Sequence, residues 1–185
     1  MALTPSNMLP LGTTAPDFNL VNTIDDQHIS LKEAKGANGT LIMFICNHCP
    51  FVKHVNSELS RLAKDYLNKG VKCIAISSND VENYPADAPH LMKENAITHD
   101  FIFPYLYDES QDVAKAYDAA CTPDFYIFDK DLKLTYRGQL DDSRPGNDKP
   151  VTGKDIREAL DAMIKGSNIS EVQKPSIGCN IKWKS

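Results

Sequence analysis

The stretch Leu41-Ile42-Met43-Phe44-Ile45-Cys46-Asn47-His48-Cys49-Pro50-Phe51 constrains the fold more than any other part of the chain. An apolar run with β-branched and aromatic members ends in a Cys-x-x-Cys, and a helical pattern begins immediately after it. A continuous apolar run of this length predicts a strand buried on both faces. Behind it Phe51, Val55, Leu59, Leu62 and Tyr66 recur at helical spacing, while Lys53, Glu58, Arg61, Lys64 and Asp65 fill the positions between them. Pro50 suits a first helical turn, where its missing N–H costs nothing, and Gly70 suits the position past a helix end. Both thiols are therefore expected at a helix N-terminus.

The unpaired N–H groups of a first helical turn carry partial positive charge and favour thiolate over thiol. Thiolate is the attacking species in disulfide exchange. Cys46 lies at the strand–helix corner, where exposure is expected, with Cys49 beneath it on the helix. This order makes Cys46 the nucleophile and Cys49 the resolving thiol. His48 between them is expected to donate to, or pair with, the Cys46 thiolate, lowering its pKa to ~4–7 from an ordinary ~8.5. Half of a structural zinc site is the main competing reading, and it lacks a second Cys pair or a histidine pair at ligand spacing. Pro50 in place of a histidine after Cys49 excludes haem attachment.

The chain has 185 residues, which suits one domain, residues 1–185, with a core that needs no disulfide staples. Five cysteines is an odd number, with one short regular spacing. Met1-Ala2-Leu3-Thr4-Pro5 lacks the charged and apolar regions of a signal peptide, and no apolar stretch is long enough to span a bilayer. These features predict a soluble, cytoplasmic protein. Its net charge is −5 and its basic residues are scattered, which argues against nucleic acid or an anionic membrane as partner.

In chain order, residues 1–16 read as an extended N-terminal arm rather than an element. Phe18, Leu20, Ile24, Ile29 and Leu31 around the polar segment Asn22–Gln27 predict a β-hairpin. Val71–Ser77 is the next buried strand and closes a right-handed βαβ unit, with Cys73 an inert core thiol. Ser78–Pro85 is a polar segment past a strand's C-terminal end, the edge where open α/β sheets place sites. A helix follows over Asp87–Asn95, with Asp87 as cap, Pro89 in its first turn, and His90 and His99 at the surface. Phe101–Tyr107, interrupted by Pro104, reads as an edge or connecting strand. Ser110 is expected to cap a helix over Gln111–Ala119. A strand opens at Pro123, turns at Lys130-Asp131 and returns over Leu132–Arg137. Gly138–Pro150, holding Asp141, Asp142 and Arg144, reads as a solvated loop. Thr152 is expected to cap a last helix, Lys154–Lys165, with Ile156, Ala159, Leu160, Met163 and Ile164 facing inward and Gly166 ending it. Residues 167–185 include Ile177, Cys179, Ile181 and Trp183, too apolar for water, so this tail is expected to pack on the body.

This order of elements around Cys46-Asn47-His48-Cys49-Pro50 and Thr122-Pro123 resembles the thioredoxin superfamily. Ala15-Pro16-Asp17-Phe18-Asn19-Leu20 and Tyr107-Asp108 are similar to the branch shared by peroxiredoxins (AhpC/TSA type) and thioredoxin-like reductases of TlpA/ResA type. Pro175-Ser176-Ile177-Gly178-Cys179-Asn180-Ile181-Lys182-Trp183 adds a likeness to bacterial cytosolic redoxins described as thiol–disulfide isomerases. The resemblance implies an α/β/α sandwich with a central mixed sheet, an N-terminal hairpin extension and a C-terminal tail. It also implies a cis Thr122–Pro123 bond lying against the Cys-x-x-Cys, with backbone groups offered to a substrate strand. The chain departs from thioredoxins in having Ile45 where they have tryptophan and Thr40 where they have a buried acid. The hydroxyl and proline with which peroxiredoxins position peroxide are replaced by Met43 and Gly39.

The expected activity is thiol–disulfide oxidoreduction, reducing or exchanging disulfides through a Cys46–Cys49 dithiol with no cofactor and no metal. His48, Thr122 and Pro123 support it, and Cys121 and Cys179 are candidate third thiols. The partners are a protein or small-molecule disulfide and a cytosolic thiol reductant. Two alternatives stand beside it: a peroxiredoxin-like thiol peroxidase with an antioxidant role, and a metal-binding module using Cys46, Cys49, His48 or His54, and Cys121.

Overall fold

A computed structural model describes residues 3–184; Met1, Ala2 and Ser185, the ends of the expected arm and tail, lie outside the described residues. In chain order the elements are β1 (Leu3–Pro5), β2 (Asn19–Asn22), β3 (His28–Ser30), α1 (Leu31–Ala34), β4 (Gly39–Phe44), α2 (Pro50–Leu67), β5 (Val71–Ser77), a 3₁₀ turn (Pro85–Asp87), α3 (Pro89–Thr98), β6 (Tyr105–Tyr107), α4 (Asp112–Ala116), β7 (Cys121–Thr122), β8 (Asp124–Asp129), β9 (Leu134–Gly138), α5 (Lys154–Lys165) and β10 (Ile177–Asn180). No helix among the described residues is long and apolar enough to cross a membrane.

Seven strands form a mixed sheet in the order β3-β2-β6-β5-β4-β8-β9. β4 and β5 pair in parallel, as do β5 and β6, and the remaining pairs are antiparallel. β4 is buried along its whole length, which is why its apolar residues run without alternation. Leu41, Met43 and Ile45 face a layer holding Val52, Leu59 and Leu62 of α2 and Ile156 and Leu160 of α5. Ile42 and Phe44 face the other layer, with Leu31, Ala114 and Tyr117. The result is the expected α/β/α sandwich.

α2 starts at Pro50 with Cys49 as its N-cap residue, and Gly70, at φ +78°, lies in the turn that leads into β5. Glu58 corrects the surface reading of its position: it is buried, bonded by Arg157 of α5 at 2.7 and 2.9 Å and by Arg61 at 2.7 Å. Ion pairing with two guanidinium groups is what makes a buried carboxylate tolerable there. On α5, Ile156, Ala159 and Leu160 are buried as expected, whereas Ile164 is 37% exposed. Gly166 at φ +66° ends the helix, a left-handed position that suits glycine.

Several boundaries differ from the sequence expectation, each because a long-range contact decides it. β6 is an internal strand between β2 and β5; Pro104 precedes it and so removes no ladder donor. The helix expected over Gln111–Ala119 shrinks to Asp112–Ala116, and the Asp108 carboxylate accepts from Ala114 N at 2.9 Å and Ser78 Oγ at 2.8 Å. The loop 138–150 is solvated over residues 145–150, as expected, but its first part, residues 138–141 and Ser143, is internal. Asp141 accepts from Ser143, Thr152 and Gly153 N–H groups at 2.8, 2.6 and 2.7 Å, tying the loop to the start of α5, and Arg144 bonds Gln139 Oε1 and two loop carbonyls.

A second sheet, β1-β10-β7, corrects the reading of the N-terminal arm as no element and seats the C-terminal tail. β10 lies antiparallel between β1 and β7, with Cys179 opposite Thr122 and Asn180 opposite Cys121. The tail thus packs on the body as a strand. Cys179 and Ile181 are buried, while Trp183 stays 42% exposed.

Candidate active site

β4 delivers the chain to Ile45, whose N–H bonds Ile76 O at 3.0 Å, and α2 takes over at Pro50. The three residues between Cys46 and Pro50 turn around one carboxylate. Asp87 accepts from the backbone N–H groups of Asn47 at 2.8 Å and His48 at 3.1 Å. Its second oxygen meets His48 Nδ1 at 2.6 Å and Asn79 Nδ2 at 2.8 Å. Burial alone would raise the Asp87 pKa, but bonds from His48 and Asn79 hold it below the usual carboxylate value. Asn47 completes the turn, donating to Ala86 O at 3.0 Å and accepting from Tyr105 Oη at 3.2 Å.

Asp87 therefore does not cap α3, as its position before Pro89 suggests; α3 has Ala88 at its N-cap and no side-chain cap. His48 is also reassigned. Its ring faces Asp87 and stacks on Tyr84, with centroids 5.6 Å apart, instead of bonding to Cys46.

The Thr122–Pro123 peptide is cis and lies against both thiols. Cys46 Sγ is 3.4 Å from Thr122 Oγ1, and Cys49 Sγ is 3.2 Å from Thr122 O. A third sulfur joins them: Cys179 Sγ is 2.8 Å from Cys49 Sγ. Cys121 is close by but donates to Pro123 O at 3.7 Å rather than to another sulfur. All five cysteines are buried thiols, including Cys73, whose pKa burial pushes up to about 12.

The charge sits differently from the sequence expectation. Cys46 is buried, at 1% exposure. The neighbouring Cys49 sulfur, burial and the nearby Asp87 carboxylate all push its pKa up. Cys49 is the acidic member, lowered to about 5 by the Cys46 hydrogen bond first, then by the Cys179 thiol and the N–H groups of Val52 and Cys179. As a thiol Cys49 donates to Thr122 O, and its position at the start of α2 adds a pull towards the thiolate. Charge is thus disfavoured on Cys46 and favoured on Cys49.

Of the residues singled out in the sequence, Cys46, Cys49, Thr122, Pro123 and Cys179 come together directly. His48 stands one residue removed, through Asp87, and His54 is elsewhere, bonded to Ser143 Oγ at 2.7 Å. Asn79 and Tyr84 fall within Ser78–Pro85, the sheet edge marked in the sequence, whereas Asp87 and Tyr105 were not legible as site residues, since their partners are far off in sequence. Cys46, His48 and Asp87 offer sulfur, nitrogen and oxygen within 4.8 Å of one another, the one such grouping among the described residues. Both Asp87 oxygens already accept hydrogen bonds, which fits a structural anion better than a metal ligand.

The AhpC/TSA family pattern matches residues 11–137. A solved structure of an uncharacterized conserved protein from Geobacillus kaustophilus is 63% identical, covers 100% of this chain and 97% of its own, and superposes with a TM-score of 0.98. A hypothetical protein from Sinorhizobium meliloti is 46% identical over 98% of this chain and 99% of its own, at 0.96. The fold is also that of a secreted Mycobacterium tuberculosis disulfide oxidoreductase homologous to DsbE of E. coli, 14% identical over 78% of this chain and 95% of its own, at 0.60. Among curated proteins none matches the chain.

Proposed function

The chain belongs to the AhpC/TSA family of thioredoxin-like redox proteins, and from that premise we propose that it is a thiol–disulfide oxidoreductase working through Cys46 and Cys49. The observation that carries this reading is the buried dithiol at the start of α2, with the cis Thr122–Pro123 segment against both sulfurs. Cys46 attacks a substrate disulfide and passes its proton to the neighbouring Cys49 thiolate. One substrate sulfur leaves as thiolate. Cys49 then gives up that proton and attacks Cys46, expelling the second substrate sulfur as a thiol and leaving a Cys46–Cys49 disulfide. Cys49 is thus base and resolving group in turn.

The substrates in this reading are protein or small-molecule disulfides, and a thiol reductant of a reducing, cytoplasmic compartment restores the dithiol without cofactor or metal. The scattered charge of −5 supports neither nucleic acid nor membrane as partner. Peroxide is the less favoured substrate. Beside Cys46, the positions for peroxide-orienting groups hold Gly39 and Met43 in a fully buried strand, so no hydroxyl is supplied from there.

Cys46→Ser tests the proposal. Disulfide reduction is expected to fall to background, and peroxide consumption by the wild type to be slow beside its disulfide reduction. Unchanged disulfide turnover in Cys46→Ser would end the reading, and rapid Cys46-dependent peroxide consumption would move the chain to the peroxidases.

A further inference from the structure

Cys179 forms no covalent bond in the two-thiol cycle, yet several contacts of the fold bring it to Cys49. Ser6 N–H bonds Ser176 O at 2.8 Å, and Ser176 Oγ donates to Pro123 O at 2.5 Å. Beyond Cys179, Ile181 N–H bonds Ala120 O at 3.1 Å and Lys182 N–H bonds Asn79 Oδ1 at 2.8 Å. Between these pins, Cys179 faces Thr122 in register. Gly178 permits the close approach: a Cβ there would lie 1.9 Å from Thr122 O, so any side chain would push β10 away from β7.

We propose that Cys179 is a third redox thiol, which takes over the disulfide from Cys46 by forming Cys49–Cys179. The inference rests on the oxidoreductase reading above and extends it by one exchange step. The sulfurs of Cys49 and Cys179 are 2.8 Å apart, within about 0.8 Å of the ~2.05 Å bond length, so a small side-chain movement joins them. Burial pushes the Cys179 pKa up to about 12, so Cys179 gives up its proton as it attacks the Cys49 sulfur of the Cys46–Cys49 disulfide. The S46–S49 bond breaks as S49–S179 forms, and Cys46 leaves as thiolate and takes up the proton that Cys179 released. One disulfide replaces another, so no external oxidant or reductant enters the step. Cys46 returns to the thiol form ready for substrate, and the oxidised pair ties α2 to the C-terminal strand.

Cys121 provides the contrast. It is equally buried on the neighbouring strand, but its sulfur is directed at Pro123 O, so proximity to the site alone does not make a relay partner.

The experiment is non-reducing peptide mapping after treatment of the full chain with diamide, alkylation in denaturant and proteolysis. Cys46→Ser is expected to lose two thiols per chain and to yield a Cys49–Cys179 peptide. Gly178→Ala, which keeps every sulfur, is expected to lose that peptide while still forming Cys46–Cys49. Should Cys46→Ser keep all its thiols, or pair Cys49 only with Cys121 or between chains, while the wild type forms Cys46–Cys49, the third-thiol inference is overturned and the two-thiol reading stands. Should the wild type form no disulfide involving Cys49, both are overturned. Circular dichroism of each variant separates a lost pairing from a lost fold.

Discussion

Replacing Cys49 by serine is expected to lower disulfide turnover by about 10²–10⁴-fold, the range for removing a positioned acid–base group, and to leave Cys46 trapped in mixed disulfides with substrate. Two functions disappear together, the base that accepts the Cys46 proton and the thiol that resolves the intermediate. The same assignment fixes the sign of the pH dependence. Cys49 is a thiolate above its lowered pKa of about 5, so the wild-type attack is supported at neutral pH and is lost as pH falls through that value. Thiolate ultraviolet absorbance of the reduced protein should show a step near the same pH, and the step should vanish in Cys49→Ser. A step that survives in Cys49→Ser would assign the charge to another cysteine. Mass spectrometry of the trapped species checks the first half of the prediction, because the added mass must sit on Cys46.

Asp87→Ala should have the second large effect, on stability first and on chemistry through it. Four donors converge on this carboxylate: the N–H groups of Asn47 and His48, the His48 ring and the Asn79 amide. Removing it strands buried donors, each costly to leave unpaired, and the expected loss is about 2–4 kcal/mol. The midpoint of urea unfolding measures it, with an unchanged slope indicating that the denatured state is unaffected. The substitution also removes a negative charge that raises the Cys46 pKa, so alkylation of Cys46 should begin at lower pH. An Asp87→Ala protein of wild-type stability would show that the turn is held by something other than this carboxylate.

How far the sequence could be read depended on whether a residue's partners were near or far along the chain. The central strand, α2 and the parallel partner β5 are legible because apolar runs and helical spacing report burial directly. Pro50 and Gly70 mark the ends of α2 through local backbone chemistry, and that chemistry does not depend on tertiary context. Asp87 misled for the opposite reason. An Asp two residues before a proline has the form of a helix cap, and its real partners, Asn47 and His48, lie about forty residues earlier. Glu58 fell among charged helix positions that look solvated until Arg157 arrives from α5.

The chemistry was legible in its parts but not in its charge distribution. Cys-x-x-Cys at a helix start specifies a thiolate site, and the resemblance directed attention to Thr122-Pro123. Which sulfur is favoured to hold the charge depends on groups from the Cys46 turn, α2 and the C-terminal strand meeting at Cys49. No spacing rule encodes that convergence. The tail shows the same limit, since its apolar residues reported packing but not its register against Thr122.

Equilibration of the protein in glutathione redox buffers, read by counting thiols, tests the central claim most directly. The account predicts a reversible two-electron couple that is absent in Cys49→Ser. Its potential should be less negative than the ~−270 mV of thioredoxin, because a stabilised thiolate favours the reduced form. A thiol count that does not change across the buffers, in protein purified without chelator and holding one tightly bound metal ion per chain, would contradict it.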